Sequence, residues 1–86
     1  MKQITIYTTS DCPYCMKAKN LLNKKGAKFD EIDVSHDSDE RQRMAARSGG
    51  KRTVPQIFIG ATHVGGCDDL HALDTKGGLD PMLAAS

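Results

Sequence analysis

The stretch Ile4-Thr5-Ile6-Tyr7-Thr8-Thr9-Ser10-Asp11-Cys12-Pro13-Tyr14-Cys15 runs a short β-prone segment into a closely spaced pair of cysteines. Met1 to Tyr7 reads as a first strand, ended by the polar run Thr8 to Asp11. A helix is predicted from Pro13 to about Lys25. Proline at the first helical position needs no N–H partner, and Gly26 can take the left-handed position beyond the last turn. Cys15, Ala18, Leu21 and Leu22 recur at three- and four-residue spacing and make an inward stripe, while Lys17, Lys19, Asn20, Lys24 and Lys25 cover the other faces. Lys28 to Val34, carrying Phe29, Ile32 and Val34, reads as a second strand. Strand, helix and strand in so short a span form a βαβ unit, with parallel strands and a right-handed crossover.

Further along, Asp37 and Glu40 are spaced as a capping box, opening a helix that carries Met44 and Ala45 inward and ends at Gly49-Gly50. Gln56-Ile57-Phe58-Ile59 and His63-Val64, separated by Gly60-Ala61, suit an antiparallel hairpin closed by Gly65-Gly66. Cys67-Asp68-Asp69-Leu70 opens a third helix with an acidic first turn, which complements the positive end of the helix dipole, and Leu70 and Leu73 supply its buried side. After the break at Lys76-Gly77-Gly78, Asp80-Pro81-Met82-Leu83 forms a last short turn. The order βαβ-α-ββ-α predicts a four-stranded mixed sheet with helices on both faces, in one domain without repeats or linkers.

The chain of 86 residues holds 12 basic and 11 acidic side chains, for a formal net charge of +1. That balance offers no basic footprint for nucleic acid. The basic stretches from Lys17 to Lys28 and from Arg41 to Arg52 read as solvated helix faces, with room to favour an anionic small molecule. No apolar run approaches the roughly 18 residues of a membrane span, and the N-terminus is strand-like rather than an apolar leader. A soluble, cytoplasmic protein with no membrane partner is therefore expected. Three cysteines, an odd number, argue against a closed framework of structural disulfides and for chemistry or metal binding by the close pair.

Cys12 and Cys15 stand where a strand meets a helix, and that placement suits redox chemistry for a physical reason. Cys12 falls at the N-cap, where the free amides of Tyr14 and Cys15 point toward its sulfur and, with the helix dipole, stabilise thiolate over thiol. An ordinary cysteine with a pKa near 8.5 is only a few per cent ionised at neutral pH, so a lowering by about 2 makes thiolate dominant. Cys15 lies one turn inside, on the core-facing stripe. Cys12 is thus read as the nucleophile toward disulfides, and Cys15 as the thiol that resolves the mixed disulfide. Pro13 pre-sets the first turn, and Tyr14 walls the group attached to Cys12. The competing reading, half of a zinc or iron–sulfur site, needs two more ligands from Cys67, His36, His63 and His71, with no second pair at that spacing. No metal site is expected.

Two distant elements complete the pattern. In Thr53-Val54-Pro55, proline before a strand marks an edge or a tight bend. A cis Val54–Pro55 bond would leave the Val54 backbone free to pair with an extended thiol, although cis is the minority state energetically. Thr53 is either a cap for that bend or simply a β-prone residue. In Gly65-Gly66-Cys67-Asp68-Asp69, the glycines permit close approach and the helix amides can receive a carboxylate while Asp68 binds an ammonium, which together fit an α-amino acid group. An ordinary hairpin exit with an acidic helix cap is an equally good reading of the same residues.

With Cys12-Pro13-Tyr14-Cys15, Thr53-Val54-Pro55-Gln56-Ile57-Phe58-Ile59 and Gly65-Gly66-Cys67-Asp68-Asp69 in this order, the chain resembles the dithiol glutaredoxins, and among them the short bacterial class. The resemblance extends over nearly the whole chain, to Gly77-Gly78-Leu79-Asp80. It implies a single glutaredoxin domain over residues 1–86 with the thioredoxin fold, strand order 2-1-3-4, strands 3 and 4 antiparallel to the parallel pair, and a cis bond before Pro55. It implies glutathione as co-substrate, with no tightly bound cofactor. Tyr14 would flank the glutathionyl sulfur, the Val54 backbone would pair with its cysteinyl part beside Thr53 and Pro55, and Gly66, Cys67 and Asp68 would take the γ-glutamyl end. Many relatives carry a lysine where this chain has Thr9, and Lys51 or Arg52 is the expected substitute. Cys67 stays open between a packing residue, a weakly activated thiol and a site of glutathionylation.

The implied activity is glutathione-dependent reduction of protein disulfides and of protein–glutathione mixed disulfides by a monomer, with ribonucleotide reductase and glutathionylated proteins as suggested partners. Two alternatives share the cysteine pair: a glutaredoxin-like protein reduced by thioredoxin reductase, and an iron–sulfur carrier dimer.

Overall fold

The computed structural model describes residues 3–84. The elements run β1 (Ile4–Thr8), α1 (Pro13–Lys24), β2 (Asp30–Asp33), α2 (Ser38–Arg47), β3 (Gln56–Ile59), β4 (Thr62–Gly65), α3 (Cys67–Thr75) and α4 (Leu79–Ala84). Met1 and Lys2, part of the expected opening strand, lie outside the described residues.

The four strands form one mixed sheet in the expected order β2-β1-β3-β4. β1 and β2 are parallel, whereas β1 pairs antiparallel with β3, and β3 antiparallel with β4. One expectation is corrected here. Only β3 runs against the parallel pair, because β4 turns back along β3 through the two-residue loop Gly60-Ala61 and so points the same way as β1 and β2.

Alternation along the central strands builds two cores. Ile4 and Ile6 of β1 sit opposite Ile59 and Ile57 of β3, and all four face α1, α3 and α4. The α1 stripe of Cys15, Ala18, Leu21 and Leu22 is buried as the spacing predicts, and its Ala18, Leu21 and Leu22 share one core with Cys67 and Leu70 of α3 and Leu79 and Leu83 of α4. On the opposite face Tyr7, Val34, Met44 and Phe58 pack under α2. Each fully buried aliphatic side chain contributes about 1.5–3 kcal/mol.

Capping fixes the helix ends. Asp37 accepts the Glu40 amide at 3.0 Å, which is one half of the expected box; the Glu40 carboxylate turns instead to Arg43. Lys25, the C-cap of α1, reaches Asp74 of α3 at 2.8 Å and Asp80 of α4 at 3.0 Å, tying three helices together at one point. β2 is shorter than predicted, since its exposed edge carries the charged run Asp30-Glu31-Ile32-Asp33, although the Val34 amide still reaches the Thr8 carbonyl at 2.8 Å. α4 begins at Leu79 rather than Asp80, because Leu79 is itself buried in the core.

Candidate active site

The site starts from the end of β1. Thr8 is fully buried and donates to Glu31 Oε2 at 2.7 Å, and the Ser10 amide donates to Ser35 Oγ at 2.7 Å, so the Thr9–Asp11 turn is moored to the segment after β2. Lys19 pairs with the same Glu31 oxygen at 3.0 Å, and the Thr8 hydroxyl, ahead of that lysine, holds the Glu31 carboxyl below its ordinary range. Cys12 then caps α1 with extended backbone angles, φ −138° and ψ 99°. Its sulfur accepts the Cys15 amide at 3.1 Å.

Cys12 and Cys15 are joined as a disulfide, with Cα atoms 5.2 Å apart. Burial separates them: Cys12 is partly exposed, whereas Cys15 is 1% exposed on the inward stripe of α1. An incoming group can reach the first sulfur, and the second can be reached only through the first. Tyr14 projects outward at 57% exposure, with Lys17 Nζ 5.5 Å from the centre of its ring.

The two distant elements come to the same place. The Val54–Pro55 bond is cis, as the resemblance implied. The Val54 carbonyl oxygen stands 4.0 Å from Cys12 Sγ. Beside it opens a cleft of about 210 Å³ lined by Tyr14 from α1, Thr53, Val54 and Pro55 from the loop before β3, and Gly66, Cys67, Asp68 and Asp69 from the start of α3. Residues more than fifty positions apart thus share one surface. Lys51 and Arg52 are exposed on the loop approaching it and are not among the residues that line it.

Cys67 is buried, and its thiol is pushed above the ordinary range first by burial and then by the Asp68 charge, with Lys17 opposing. Of its three readings the packed, unactivated thiol fits best. Its neighbour His71 directs Nδ1 to the Cys67 carbonyl at 2.9 Å, with Cys67 Sγ 3.5 Å away.

Two side chains named in the sequence only as parts of longer segments take supporting roles here. Asp69 accepts the Gly66 amide at 3.0 Å, so its carboxylate is spent on the turn and Asp68 is the acid left facing outward. Its S/T/D-type spacing from the N-cap was the available signal, obscured because the cap itself is glycine. Gln56, 2% exposed, donates to the Thr53 carbonyl at 3.0 Å and to Thr53 Oγ1 at 3.2 Å. The bend is therefore capped by Gln56, and Thr53 receives that bond rather than supplying the cap. No periodicity marks such a residue.

The family described as Glutaredoxin matches residues 4–64, spanning β1 through most of β4. The chain belongs to the glutaredoxin family. It is 54% identical to glutaredoxin 3 of Escherichia coli (strain K12) over 83 residues, covering 96% of this chain and 99% of that protein. The solution structure of the glutaredoxin from Brucella melitensis superposes with a TM-score of 0.84 at 55% identity, covering 96% of this chain and 89% of that one. A crystal structure of a buckwheat glutaredoxin–glutathione complex superposes with a TM-score of 0.83 at 36% identity, covering 93% and 74%. This glutaredoxin is a thiol–disulfide oxidoreductase, with Cys12 and Cys15 as its disulfide-forming pair. Its family uses glutathione as a substrate.

Proposed function

We propose that this glutaredoxin reduces protein disulfides and protein–glutathione mixed disulfides by a Cys12/Cys15 cycle recharged by glutathione. The observation that carries this reading is the unequal burial of the two sulfurs beside the Tyr14–Val54–Asp68 cleft. The Cys12 thiolate attacks one sulfur of the substrate disulfide, forming a mixed disulfide and releasing the other sulfur as thiolate, which takes a proton from water. Cys15, as thiolate, then attacks Cys12 Sγ, expelling the reduced substrate and closing the Cys12–Cys15 disulfide. One glutathione thiolate opens that disulfide onto Cys12, returning Cys15 as a thiol. A second glutathione attacks the adduct, leaving as glutathione disulfide and regenerating the Cys12 thiolate. For a glutathionylated protein, Cys12 and glutathione suffice.

In this reading Tyr14 flanks the glutathionyl sulfur, and the Val54 backbone, set by Thr53 and Pro55, pairs with its cysteinyl residue. Beside the close approach that Gly66 allows, the free amides of Cys67 and Asp68 hold the γ-glutamyl carboxylate, with the Asp68 carboxylate on the ammonium. Lys51 or Arg52 attracts the glycyl carboxylate from the loop approaching the cleft, in place of the lysine that relatives carry at the position of Thr9. The buckwheat complex, whose fold this chain shares, supports glutathione as the ligand. A monomeric domain over residues 1–86, acting in the cytoplasm on glutathionylated proteins and on ribonucleotide reductase, completes the proposal.

The test is glutathione-coupled turnover of a glutathionylated peptide and of a protein disulfide by Cys12→Ser and Cys15→Ser. Cys15→Ser should keep the first activity and lose the second, and Cys12→Ser should lose both. Turnover by Cys12→Ser would refute the assignment. Activity with thioredoxin reductase but not with glutathione would replace the co-substrate.

A further inference from the structure

The loop from Gly49 to Pro55 carries no regular secondary structure, yet it presents the Val54 backbone to Cys12. Among the described residues, two side chains from outside the loop bond to its backbone. Arg41 Nη2 donates to the Arg52 carbonyl at 3.0 Å, and Gln56 donates to the Thr53 carbonyl at 3.0 Å. Arg41 is a long surface side chain. Gln56 is the first residue of β3, opposite Tyr7, and it is buried on the α2 side of the sheet.

The polarity of the Gln56 amide is dictated by its neighbours. A carbonyl can only accept, so the Gln56 NH₂ must face Thr53, where it also meets Thr53 Oγ1 at 3.2 Å. Its carbonyl Oε1 is then turned to His63 Nε2 at 2.7 Å. That nitrogen must carry a hydrogen, which both the Nε2–H tautomer and the imidazolium supply. His63 is held in turn by stacking on Phe58, with ring centroids 4.8 Å apart and planes 26° from parallel. A rigid chain therefore runs from β4 through a buried amide to the loop that faces the reactive sulfur.

We infer that Gln56, oriented by His63, is a positioning residue that sets the Thr53–Val54 backbone for pairing with the thiol substrate, and so governs how strongly the mixed disulfide is recognised. This rests on the reading that the Val54 backbone pairs with the cysteinyl part of glutathione. Gln56 does not touch the substrate. It acts on recognition, not on the sulfur, because its bonds end at Thr53 and Cys12 is held separately by the α1 N-terminus.

The experiment compares the wild type with Gln56→Met, which keeps side-chain length and apolar volume but cannot bond to Thr53. The expected result is a rise of about five- to tenfold in KM for a glutathionylated peptide, as for the loss of one buried hydrogen bond. The rate of Cys12 alkylation by iodoacetamide, which needs no backbone pairing, should stay within about twofold. His63→Phe, which keeps the stack on Phe58 and the Gln56–Thr53 bonds, should raise KM about two- to threefold and shift the Thr53 amide resonance. It serves also if Gln56→Met fails to fold. An unchanged KM in either folded variant, or an equal loss of iodoacetamide reactivity, would overturn the inference. Titration with S-methylglutathione separates the two failures. No shift of the Val54 amide in the wild type would overturn the pairing on which the inference rests, whereas the same shift and affinity in Gln56→Met would overturn the positioning role alone.

Discussion

The Cys15 amide donates to Cys12 Sγ at 3.1 Å, so the partly exposed sulfur of the pair is held by the backbone of its buried partner. The bond comes from helix geometry, since an N-cap acceptor meets the amide three positions on. The same first turn places the Cys15 sulfur inward. One local conformation therefore leaves one sulfur partly exposed at the helix amides and hides the other.

Selective alkylation follows from that arrangement. In the reduced protein at neutral pH, iodoacetamide should label Cys12 at least about tenfold faster than Cys67 or Cys15, because only Cys12 combines access with amide stabilisation of its thiolate. Cys15 is buried, and Cys67 is buried with its thiol pushed above the ordinary range. Peptide mapping by mass spectrometry reads the order directly. Labelling of Cys67 ahead of Cys12 would contradict it.

The turn entering α3 depends on Asp69. Asp69→Ala removes the acceptor of the Gly66 amide and should cost about 1 kcal/mol, within the usual range for a lost helix cap. Gly65→Ala should cost at least as much, because Gly65 has φ +116° and an added Cβ would run into the Asp69 carboxylate. The double variant should fall short of the sum, since removing Asp69 relieves the collision but not the backbone angle. Urea melts of the three variants check this.

Acid should weaken the mooring of the β1 end. Thr8 and Lys19 hold the Glu31 pKa below its ordinary 4.5, so the stabilisation is fully present above that value and is lost as pH falls through the lower folded-state value. Glu31 is well exposed, which screens the effect and keeps it modest. Thr8→Val removes the hydroxyl at a buried position. The stability gap between wild type and Thr8→Val should therefore narrow from about pH 5 to pH 3. Melting curves across that interval would show a constant gap if the Thr8–Glu31 bond contributed nothing to the shift.

The seam between α1 and α3 is a single packed layer. Leu70 is fully buried in it, and Leu70→Ala should cost about 3 kcal/mol from lost transfer free energy and a residual cavity. In a domain this small that is a large share of the total. The midpoint of denaturant unfolding should drop without a change of slope.

Most of the elements are legible in the chain because their signals are local. Pro13 and Gly26 bracket α1, the stripe Cys15-Ala18-Leu21-Leu22 names its buried face, and Gly60-Ala61 marks the hairpin. The short β2 and the early start of α4 were less legible, since an edge strand of charged residues and a leucine ahead of a helix are judged by what covers them. The direction of β4 followed from the hairpin itself once its pairing with β3 was seen.

By itself the sequence determined the Cys12–Cys15 chemistry: two thiols at the first turn of a helix are set apart by the helix's own period, which exposes one and buries the other. Only the tertiary structure decided what stands opposite Cys12. The sheet carries Val54 to within 4.0 Å of that sulfur, and Tyr14, Thr53 and Asp68 to one cleft. It also turned Asp69 and Gln56 from anonymous polar residues into the supports of two loops. Local order follows from propensity and periodicity along the chain. The cleft requires contacts between residues some forty to fifty positions apart, which arise only when the apolar faces on both sides of the sheet are buried together.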